Sequence, residues 1–260
     1  IELISNKIKS IKPEQIAGHI GDMASIETIF SFKNLLKKIG TNNFDFREKK
    51  IYIDPTDKMN YIFNSSIQNI ENSDLILLIG TNPRHEATIV NARIRKAFVK
   101  NKTAVYSIGN PGDLTYEYIL LGDDINDIKN IFDEKSEINK KLKTAKKPIF
   151  IFGESVLELK NSKYILEKTK YFLIENNFIN DSWNALNILI QNASTVGAID
   201  SGFYNIDKNN NFIFFDKLEN KEFKLLYLVG SDNLEIKKND EFIIYQGAHG
   251  DKNASIADVI

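Results

Sequence analysis

The sequence predicts an α/β fold in which mainly parallel sheets are flanked by helices. Short apolar runs alternate with longer amphipathic stretches at intervals of roughly 30 residues, the spacing of strand–helix–strand units. The run Leu75–Ile79 is apolar at every position, which is typical of a strand buried on both faces of a parallel sheet. Glycine follows most of these runs, where the chain turns sharply. Because 260 residues exceed one ordinary domain of about 100–200 residues, we expect two Rossmann-like domains.

The first strand and the first helix lie near the start of the chain. Residues 15–19 predict a short strand that ends at Gly21. Apolar side chains then recur at helical spacing, at Ile26, Ile29, Phe30, Leu36 and Ile39. Asp22 or Ser25 can cap the N-terminus of this helix, and Gly40 stands just after its last turn.

The second strand and helix have clear boundary signals. The strand at residues 74–79 is followed by Asn82, which can act as an N-cap, and by Pro83 at the first helical position. We expect the helix to extend through about Lys100. Residues 103–108 then predict the next buried strand.

The remaining elements follow from the same patterns. In chain order we expect a turn at 109–112, a helix over about 123–143, a strand at 148–152 with a helix after it, a helix near 182–191, a loop at 195–202, and strands at 224–229 and 242–245.

The composition excludes several classes of function. Apolar residues make up 42% and charged residues 27% of the chain, as in globular proteins. Lys and Arg number 34 against 35 Asp and Glu, so the net charge of −1 gives no electrostatic reason to expect nucleic acid or an anionic membrane as a partner. The chain contains no cysteine, which excludes disulfides, thiolate nucleophiles and cysteine-bound metal clusters from these residues.

The ends of the chain resemble the interior of a longer polypeptide. The chain begins at Ile1 rather than Met, without the basic and then apolar pattern of a secretory leader. Its last residues, 257–260, read like the middle of a strand. No apolar run approaches the roughly 20 residues that span a bilayer. We therefore expect a part of a longer polypeptide that is not inserted into a membrane.

Five loops at strand ends are candidate ligand sites, because ligands of open α/β sheets bind outside the carboxyl ends of the strands. These loops comprise residues 80–83, 109–113, 153–155, 230–232 and 247–251. Backbone geometry alone explains glycine at such corners, so the pattern does not require a ligand. Neither G-x-G-x-x-G nor G-x-x-x-x-G-K-[ST] is present, which argues against a standard dinucleotide or P-loop site.

The histidines give little support for metal or hydrolase chemistry. His19, His85 and His249 lack metal-binding spacings such as H-E-x-x-H, and the sequence has no G-x-S-x-G elbow. His249 stands in a glycine-rich loop at a strand end and is the first histidine to examine. A loop histidine bonded to the backbone remains the simpler interpretation.

Several cations fall on one predicted helix, at Arg84, Arg93, Arg95 and Lys96. Arg84 lies in the first turn, where a positive charge opposes the helix dipole unless an anion offsets it. A solvated basic face is the simplest interpretation; a protein contact or a remnant anion-binding groove is the alternative.

A series of motifs extends over essentially the whole chain. The most specific are Gly80-Thr-Asn-Pro-Arg84 and Tyr245-Gln-Gly-Ala-His-Gly-Asp251. Further motifs, in chain order, lie at residues 17–22, 40–43, 90–96, 112–116, 183–184, 197–200 and 257–260. In this order the sequence resembles the large iron–sulfur subunits of respiratory complex I, the NADH:quinone oxidoreductases. The C-terminal region of those subunits is similar to the molybdopterin oxidoreductases.

The resemblance implies two interleaved Rossmann-like domains. Residues 46–190 would form one, and residues 1–45 with 191–260 the other. Metal-dependent molybdopterin oxidoreductases hold a bis-pterin molybdenum or tungsten cofactor between two such domains. The corresponding groove residues here would be Gly80, Thr81, Asn82, Arg84, Gly230, Ser231, Asp232 and His249.

Two departures from the family pattern indicate that this groove is vestigial. Metal-dependent relatives supply a Cys, selenocysteine or Ser to the metal just after the position of Asn43, where this chain has Phe44-Asp45-Phe46. Relatives often carry Asp-Pro-Arg where this chain reads Asn110-Pro-Gly112, which removes a cation that would help hold a pyrophosphate. We therefore expect no molybdopterin, no metal ligand and no catalytic residue in these residues.

The resemblance implies a scaffold role within NADH:quinone electron transfer, without chemistry of its own in these residues. The 4Fe-4S and 2Fe-2S clusters would lie on an N-terminal region outside this chain. The partners would be other subunits of the peripheral arm and the iron–sulfur region of the same polypeptide. The location would be peripheral, on the cytoplasmic side of a bacterial inner membrane or the matrix side of the mitochondrial one.

Two other functions stay open at this point. One is a working molybdopterin oxidoreductase domain with molybdenum or tungsten, in which Asp45 is the metal ligand and His249 lies near the substrate. The other is a free-standing α/β enzyme that binds a nucleotide.

Overall fold

The computed structural model describes residues 1–248 and 252–260 and divides the chain into two units. Unit 1 comprises Ile1–Lys50 and Asn192–Ile260, and unit 2 comprises Ile51–Gln191. The chain therefore leaves unit 1 once, builds the whole of unit 2, and returns to complete unit 1.

Parallel strands and their connecting helices make up both units. In chain order, the strands are β1 (Ile16–Ile20), β2 (Phe44–Asp45), β3 (Leu75–Ile79), β4 (Ala104–Ile108), β5 (Ile119–Gly122), β6 (Pro148–Gly153), β7 (Ile179–Asn180), β8 (Trp183–Asn184), β9 (Leu186–Leu189), β10 (Leu225–Val229) and β11 (Phe242–Gln246). The α-helices are α1 (Glu2–Ser10), α2 (Ile26–Ile39), α3 (Pro83–Glu86), α4 (Thr88–Asn101), α5 (Lys129–Phe132), α6 (Glu137–Thr144), α7 (Glu154–Leu157), α8 (Ser162–Glu175), α9 (Thr195–Asp200), α10 (Phe214–Glu219) and α11 (Lys252–Ser255). Short 3-10 turns lie at Pro13–Gln15, Lys58–Asn60, Gln68–Asn72 and Ile125–Ile128.

Unit 1 contains a four-stranded parallel sheet in the order β11-β10-β1-β2. Helix α2 connects β1 to β2 and has the predicted ends, with the Ser25 hydroxyl accepting a hydrogen bond from the Thr28 N–H and Gly40 in the left-handed conformation. The helix packs closely on β1 at Gly18, where a Cβ atom would lie 2.3 Å from a methyl carbon of Leu36. A side chain at position 18 would require the buried Leu36 and Phe32 side chains to move.

The two faces of the unit 1 sheet carry different helices, because successive strand residues point to opposite faces. Ile16 packs with Leu225 and Ile244 against apolar residues of α1, on the face that α2 also covers. Ala17 packs with residues of β10 and β11 against α10 and α11, on the opposite face. We call this second surface the α10 face.

Unit 2 contains a five-stranded parallel sheet in the order β5-β4-β3-β6-β9. Strand β3 lies at its centre and is buried at all five positions, as its apolar sequence predicts. Strands β7 and β8 form a separate antiparallel pair. The predicted fold class, α/β with mainly parallel sheets flanked by helices, is confirmed.

Two of the predicted elements near the end of unit 2 and the return to unit 1 are wrong. Residues 182–191 form β8 and β9 rather than a helix, because Leu186–Leu189 pairs with β6 and is buried throughout. Tertiary burial here overrides the helical propensity of Ala and Leu. Residues 195–202 begin with helix α9 rather than a loop. The interior Gly197 costs this helix only about 1 kcal/mol relative to alanine.

Two of the predicted helices are divided in the structure. The helix expected from Pro83 to about Lys100 is interrupted at Ala87, whose φ of −153° is not helical. The helix expected over 123–143 divides into a 3-10 turn, α5 and α6, because Asp124 and Ser136 each begin a new segment with a side-chain cap. Strand β5 was not predicted.

Within residues 1–248 and 252–260, no helix is long and apolar enough to cross a lipid bilayer.

Candidate functional site

The carboxyl edge of the unit 1 sheet gathers four buried polar side chains on the α10 face. His19 and Asp45 are register partners on β1 and β2, so their side chains point to the same face. Arg47 lies two residues after Asp45, and Ser231 follows β10. Arg47 is 4% exposed and the other three residues are fully buried. We call these four residues the His19 cluster.

Asp45 and Arg47 form a buried, bidentate ion pair. The Nη2 atom of Arg47 lies 2.7 Å from Oδ2 of Asp45, and its Nε atom lies 3.0 Å from Oδ1. The backbone N–H groups of Phe46 and Arg47 donate to the same Oδ1 atom at 2.8 and 2.9 Å. Oδ1 thus accepts three hydrogen bonds, and Oδ2 accepts from Nη2 and, at 3.2 Å, from Nε, so each oxygen has at least two donors from within the loop.

Aromatic rings hold the guanidinium of Arg47 in place. Its central carbon lies 4.0 Å from the centroid of the Phe212 ring and 5.1 Å from that of Phe215. A cation over the face of a ring is attracted by the ring quadrupole, more strongly when both groups are removed from water. The guanidinium therefore contacts the Asp45 carboxylate and the two aromatic rings.

His19 connects this loop to β10. Its Nε2 atom lies 2.8 Å from the backbone oxygen of Arg47, which can only accept, so Nε2 carries the proton. In the neutral ring Nδ1 is then the acceptor, and the Ser231 hydroxyl donates to it over 2.6 Å. Burial lowers the pKa of His19 below its ordinary value, and this effect exceeds the opposing effects of the Arg47 carbonyl and the Asp45 charge.

We expect unit 1 to lose stability as the pH falls below about 6.5, the unfolded-state pKa of histidine. A histidine with a lower pKa in the folded state binds fewer protons when folded, so protonation favours unfolding. The stabilisation is complete above the unfolded-state pKa and declines as the pH drops toward the lowered folded-state value. Urea denaturation between about pH 5 and 8, followed by circular dichroism, measures the decline.

The matched control is His19→Gln, which keeps a polar, neutral side chain but cannot titrate. Its free energy of unfolding should vary less with pH than that of the wild-type chain over the same range. Trp183, the only tryptophan, lies in unit 2 and reports separately on that unit. Equal pH slopes in the two proteins would show that His19 is not the titrating group.

The predicted groove residues after β10 take part in structural contacts within unit 1. Gly230 lies so close to the end of β1 that a Cβ atom on Gly21 would stand 1.6 Å from its oxygen. The backbone oxygen of Ser231 accepts a hydrogen bond of 2.6 Å from the Asn253 amide. Asp232 accepts a short hydrogen bond from the Tyr245 hydroxyl. The fourth predicted residue, His249, lies outside the described residues.

The predicted groove residues of unit 2 lie at the carboxyl end of β3. Asn82 caps α3 as predicted, since its Oδ1 atom accepts from the Arg84 N–H at 3.1 Å. The Glu86 carboxylate reaches back and accepts from the Thr81 hydroxyl and from the Asn82 N–H, both at 2.8 Å. An acidic side chain of the protein itself thus takes the donors that a bound anion would use.

Arg84 and Asn82 connect this turn to the loop after β4. The Asn82 amide donates to the Pro111 oxygen at 2.7 Å. Arg84 pairs with Asp113 at 2.7 Å, and this pair is exposed. The Thr115 N–H and then the Arg84 guanidinium lower the pKa of the Asp113 carboxyl. An anion of the chain therefore offsets the cation in the first helical turn.

The other cations predicted on one helix are also accommodated within unit 2. Arg93 and Lys96 both pair with Glu71, and the Lys96 contact is 2.6 Å long. Arg95 donates to the Thr115 oxygen at 3.4 Å. The cations stay partly exposed, as a solvated basic face predicts, and acidic and carbonyl groups of the same unit bind them.

The His19 cluster does not fit a metal bound through Asp45. A metal ligand needs a free lone pair, whereas both Asp45 oxygens accept charge-assisted hydrogen bonds and the side chain is fully buried. A metal here would displace Arg47 and leave its charge buried. Among the residues that the structure describes, no three histidine or acidic side chains are grouped to hold a metal ion.

No role in these arrangements was predicted for Arg47, Glu86 or His19. Arg47 stands only two positions from Asp45, and this spacing is the one local signal that could have suggested their pairing. Glu86 stands one position later than in the usual capping box, so that motif does not find it. His19 and Ser231 are 212 residues apart, and only the parallel register of β1 and β10 brings them together.

The fold and the motifs together define the class of protein. The model of the molybdopterin oxidoreductase family matches residues 1–260, and the chain belongs to this family. The resemblance to complex I subunits is also confirmed. The chain is 38% identical to an NADH-quinone oxidoreductase subunit of Rickettsia conorii over 261 residues, which is 100% of this chain and 37% of that protein.

Two further relatives come from eukaryotes. The NADH-ubiquinone oxidoreductase 75 kDa subunit of Reclinomonas americana is 38% identical over 260 residues, covering 95% of this chain and 37% of that protein. The mitochondrial NADH dehydrogenase [ubiquinone] iron-sulfur protein 1 of Solanum tuberosum is 32% identical over 262 residues, covering 100% of this chain and 34% of that protein. The chain spans only about a third of the length of these relatives.

Proposed function

We propose that this chain is a non-catalytic scaffold segment of the large iron–sulfur subunit of a respiratory NADH:quinone oxidoreductase. Relatives from bacteria and eukaryotes, named as subunits of such enzymes, match nearly its full length at 32–38% identity. The fold belongs to a cofactor-binding family, but a fold alone does not imply its chemistry.

One observation carries the non-catalytic part of the proposal. Asp45, the only ligand candidate where relatives place the metal-binding residue, is fully buried and bound by Arg47 through both oxygens. The guanidinium takes the role of counter-ion that a metal would otherwise have. The Glu86 carboxylate similarly takes the backbone and hydroxyl donors at the end of β3.

The proposed role places the electron-carrying groups elsewhere in the polypeptide. Iron–sulfur clusters would be bound by cysteines outside residues 1–260, since these residues contain none. The two-domain organisation, 46–190 and 1–45 plus 191–260, would hold that cluster region and the neighbouring peripheral-arm subunits in register. The location would be the cytoplasmic side of a bacterial inner membrane or the mitochondrial matrix side.

Metal analysis of the purified full-length protein tests this function. We expect iron in the protein together with other subunits of the complex, and molybdenum and tungsten far below one atom per chain. The double variant Asp45→Asn, Arg47→Met, which removes both buried charges together, should leave the iron content unchanged, since the proposal gives this carboxylate no metal. About one molybdenum or tungsten atom per chain, lost in the double variant while the iron is kept, would instead support the working molybdopterin domain.

A further inference from the structure

Among the described residues, helices cover the α10 face of the unit 1 sheet only in part. Parallel sheets are found almost only with both faces covered, and the connection between parallel strands is usually a helix. Residues 230–241 connect β10 to β11 and, although all are described, contain no helix. Helix α10 on the same face is only six residues long.

A groove of about 950 Å³ lies on this face. Its apolar wall and floor side chains are Phe215, Leu218, Phe223, Leu226, Leu234, Ile236 and Ile256. Leu218, Ile236 and Ile256 remain only partly buried in the core. Charged side chains of both signs line the rim, among them Glu219, Lys221, Glu235 and Lys237. An apolar floor with a mixed-charge rim is complementary to an amphipathic helix.

The strand connections show which chain can reach this groove. Beyond β11, helix α11 packs on the α10 face, and Val259 then pairs in parallel with Ile244. The Tyr245 N–H donates to the Val259 oxygen at 2.9 Å. Val259 thus lies beside β11 at the edge of the sheet, and both connections toward this edge lie on the α10 face.

Right-handed crossovers explain this placement. The connection from β1 to β2 runs toward the opposite edge of the sheet and lies on the opposite face. A right-handed connection from residues 258–259 to a strand at the same edge therefore crosses the α10 face again. The relatives are nearly three times as long as the matched segment, so their polypeptides contain chain that can do so.

We propose that the groove binds an amphipathic helix of the same polypeptide, from the part that lies outside residues 1–260. This inference rests on one part of the proposed function, namely that the chain is a segment of a longer polypeptide. The helix places apolar residues against Leu218 and Ile236 and charged residues of both signs along the rim. It completes the second helical layer of the unit 1 sheet.

Photo-crosslinking in the full-length protein, purified with any subunits that accompany it, tests the occupant. The crosslinker p-benzoylphenylalanine replaces Leu218 in one variant and the exposed rim residue Lys237 in a second, so that one variant leaves the apolar floor intact. The matched control replaces Tyr171, an aromatic residue of α8 in unit 2 that is 63% exposed. Mass spectrometry identifies the linked peptides.

We expect both groove variants to form crosslinks within the polypeptide, to peptides outside residues 1–260, with yields several-fold above the Tyr171 control. Crosslinks to another subunit or to a second copy of the chain would overturn the inference, as would yields equal to the control. The subunits and iron that accompany the protein test the proposed function separately. If the protein purifies with iron and the other subunits but its groove is crosslinked to another subunit, the inference about the groove is wrong and the proposed function still holds.

Discussion

Replacing Arg47 with methionine is expected to destabilise unit 1 by about 3–5 kcal/mol, the usual cost of removing one partner of a buried ion pair. Asp45 is fully buried, and Arg47 donates to both of its oxygens. Without the guanidinium, the carboxylate stays in a site closed to water, with only two backbone N–H groups as donors. The variant also loses the contacts of the cation with Phe212 and Phe215.

Native-state hydrogen exchange measures this loss, because the amides of β1 and β10 report on unit 1. Trp183 fluorescence reports on unit 2, which should keep its wild-type stability. The control Arg84→Met removes an exposed ion pair with Asp113 and should change stability by no more than about 1 kcal/mol. The double variant Asp45→Asn, Arg47→Met removes both charges but keeps an acceptor for the backbone, so it should recover a large part of the loss.

The double variant distinguishes a buried charge from simple packing. If the isolated carboxylate causes the destabilisation, neutralising it restores stability, since an unpaired buried charge costs more than an unpaired amide. If Arg47 acts only through packing on the rings, the double variant should be as unstable as Arg47→Met. Such a result would also weaken the proposed function, which assigns Arg47 the role of internal counter-ion.

The sequence predicts the central strands of these sheets better than the strands at their edges. Strand β3 is apolar at every position, and its pattern has one structural interpretation. By contrast, the segment 186–189, apolar except for Asn187, fits a helix or a buried strand, and only pairing with β6 decides between them. The caps are local features: the prediction of Asn82 is confirmed, and of the two candidates Asp22 and Ser25 the structure has Ser25.

The candidate site combines local and long-range features in the same way. Asp45 and Arg47 are only two residues apart. The burial of this pair depends on Phe212 and Phe215, which come after the whole of unit 2 in the sequence. The bond between His19 and Ser231 depends on the β1–β10 register. The sequence therefore indicates Asp45 only as the metal ligand of the alternative function, and it cannot show that the chain supplies the partner of that carboxylate.

Replacing Gly21 with alanine is expected to destabilise unit 1 by about 3 kcal/mol, because the new methyl group has no space. A Cβ atom at this position would lie 1.6 Å from the Gly230 oxygen and 2.4 Å from its carbonyl carbon. These are backbone atoms, so a side-chain rotation cannot relieve the contact. The N–H of Gly21 also bonds the Val229 oxygen at 2.9 Å, which ties the ends of β1 and β10 together.

The control Gly197→Ala has the opposite expected sign. Gly197 lies inside α9, where a Cβ atom would be 3.4 Å from an Ile26 methyl carbon, so alanine fits and stabilises the helix by up to about 1 kcal/mol. Hydrogen exchange in β1 and β10 measures both variants. Wild-type protection in Gly21→Ala would contradict the close approach of the two strand ends.

The Gly21→Ala variant should also weaken the pH dependence that we attribute to His19. Ser231 directly follows Gly230, so a backbone shift that accommodates the methyl group moves the Ser231 hydroxyl away from Nδ1 of His19. The ring then gains access to water, and the burial that lowers its pKa decreases. The free energy of unfolding of Gly21→Ala should therefore fall less between pH 7 and pH 5 than that of the wild-type chain, by the linkage between pKa and stability. If Gly21→Ala is destabilised but its stability depends on pH as strongly as that of the wild-type chain, the contact between the strand ends does not control the environment of His19.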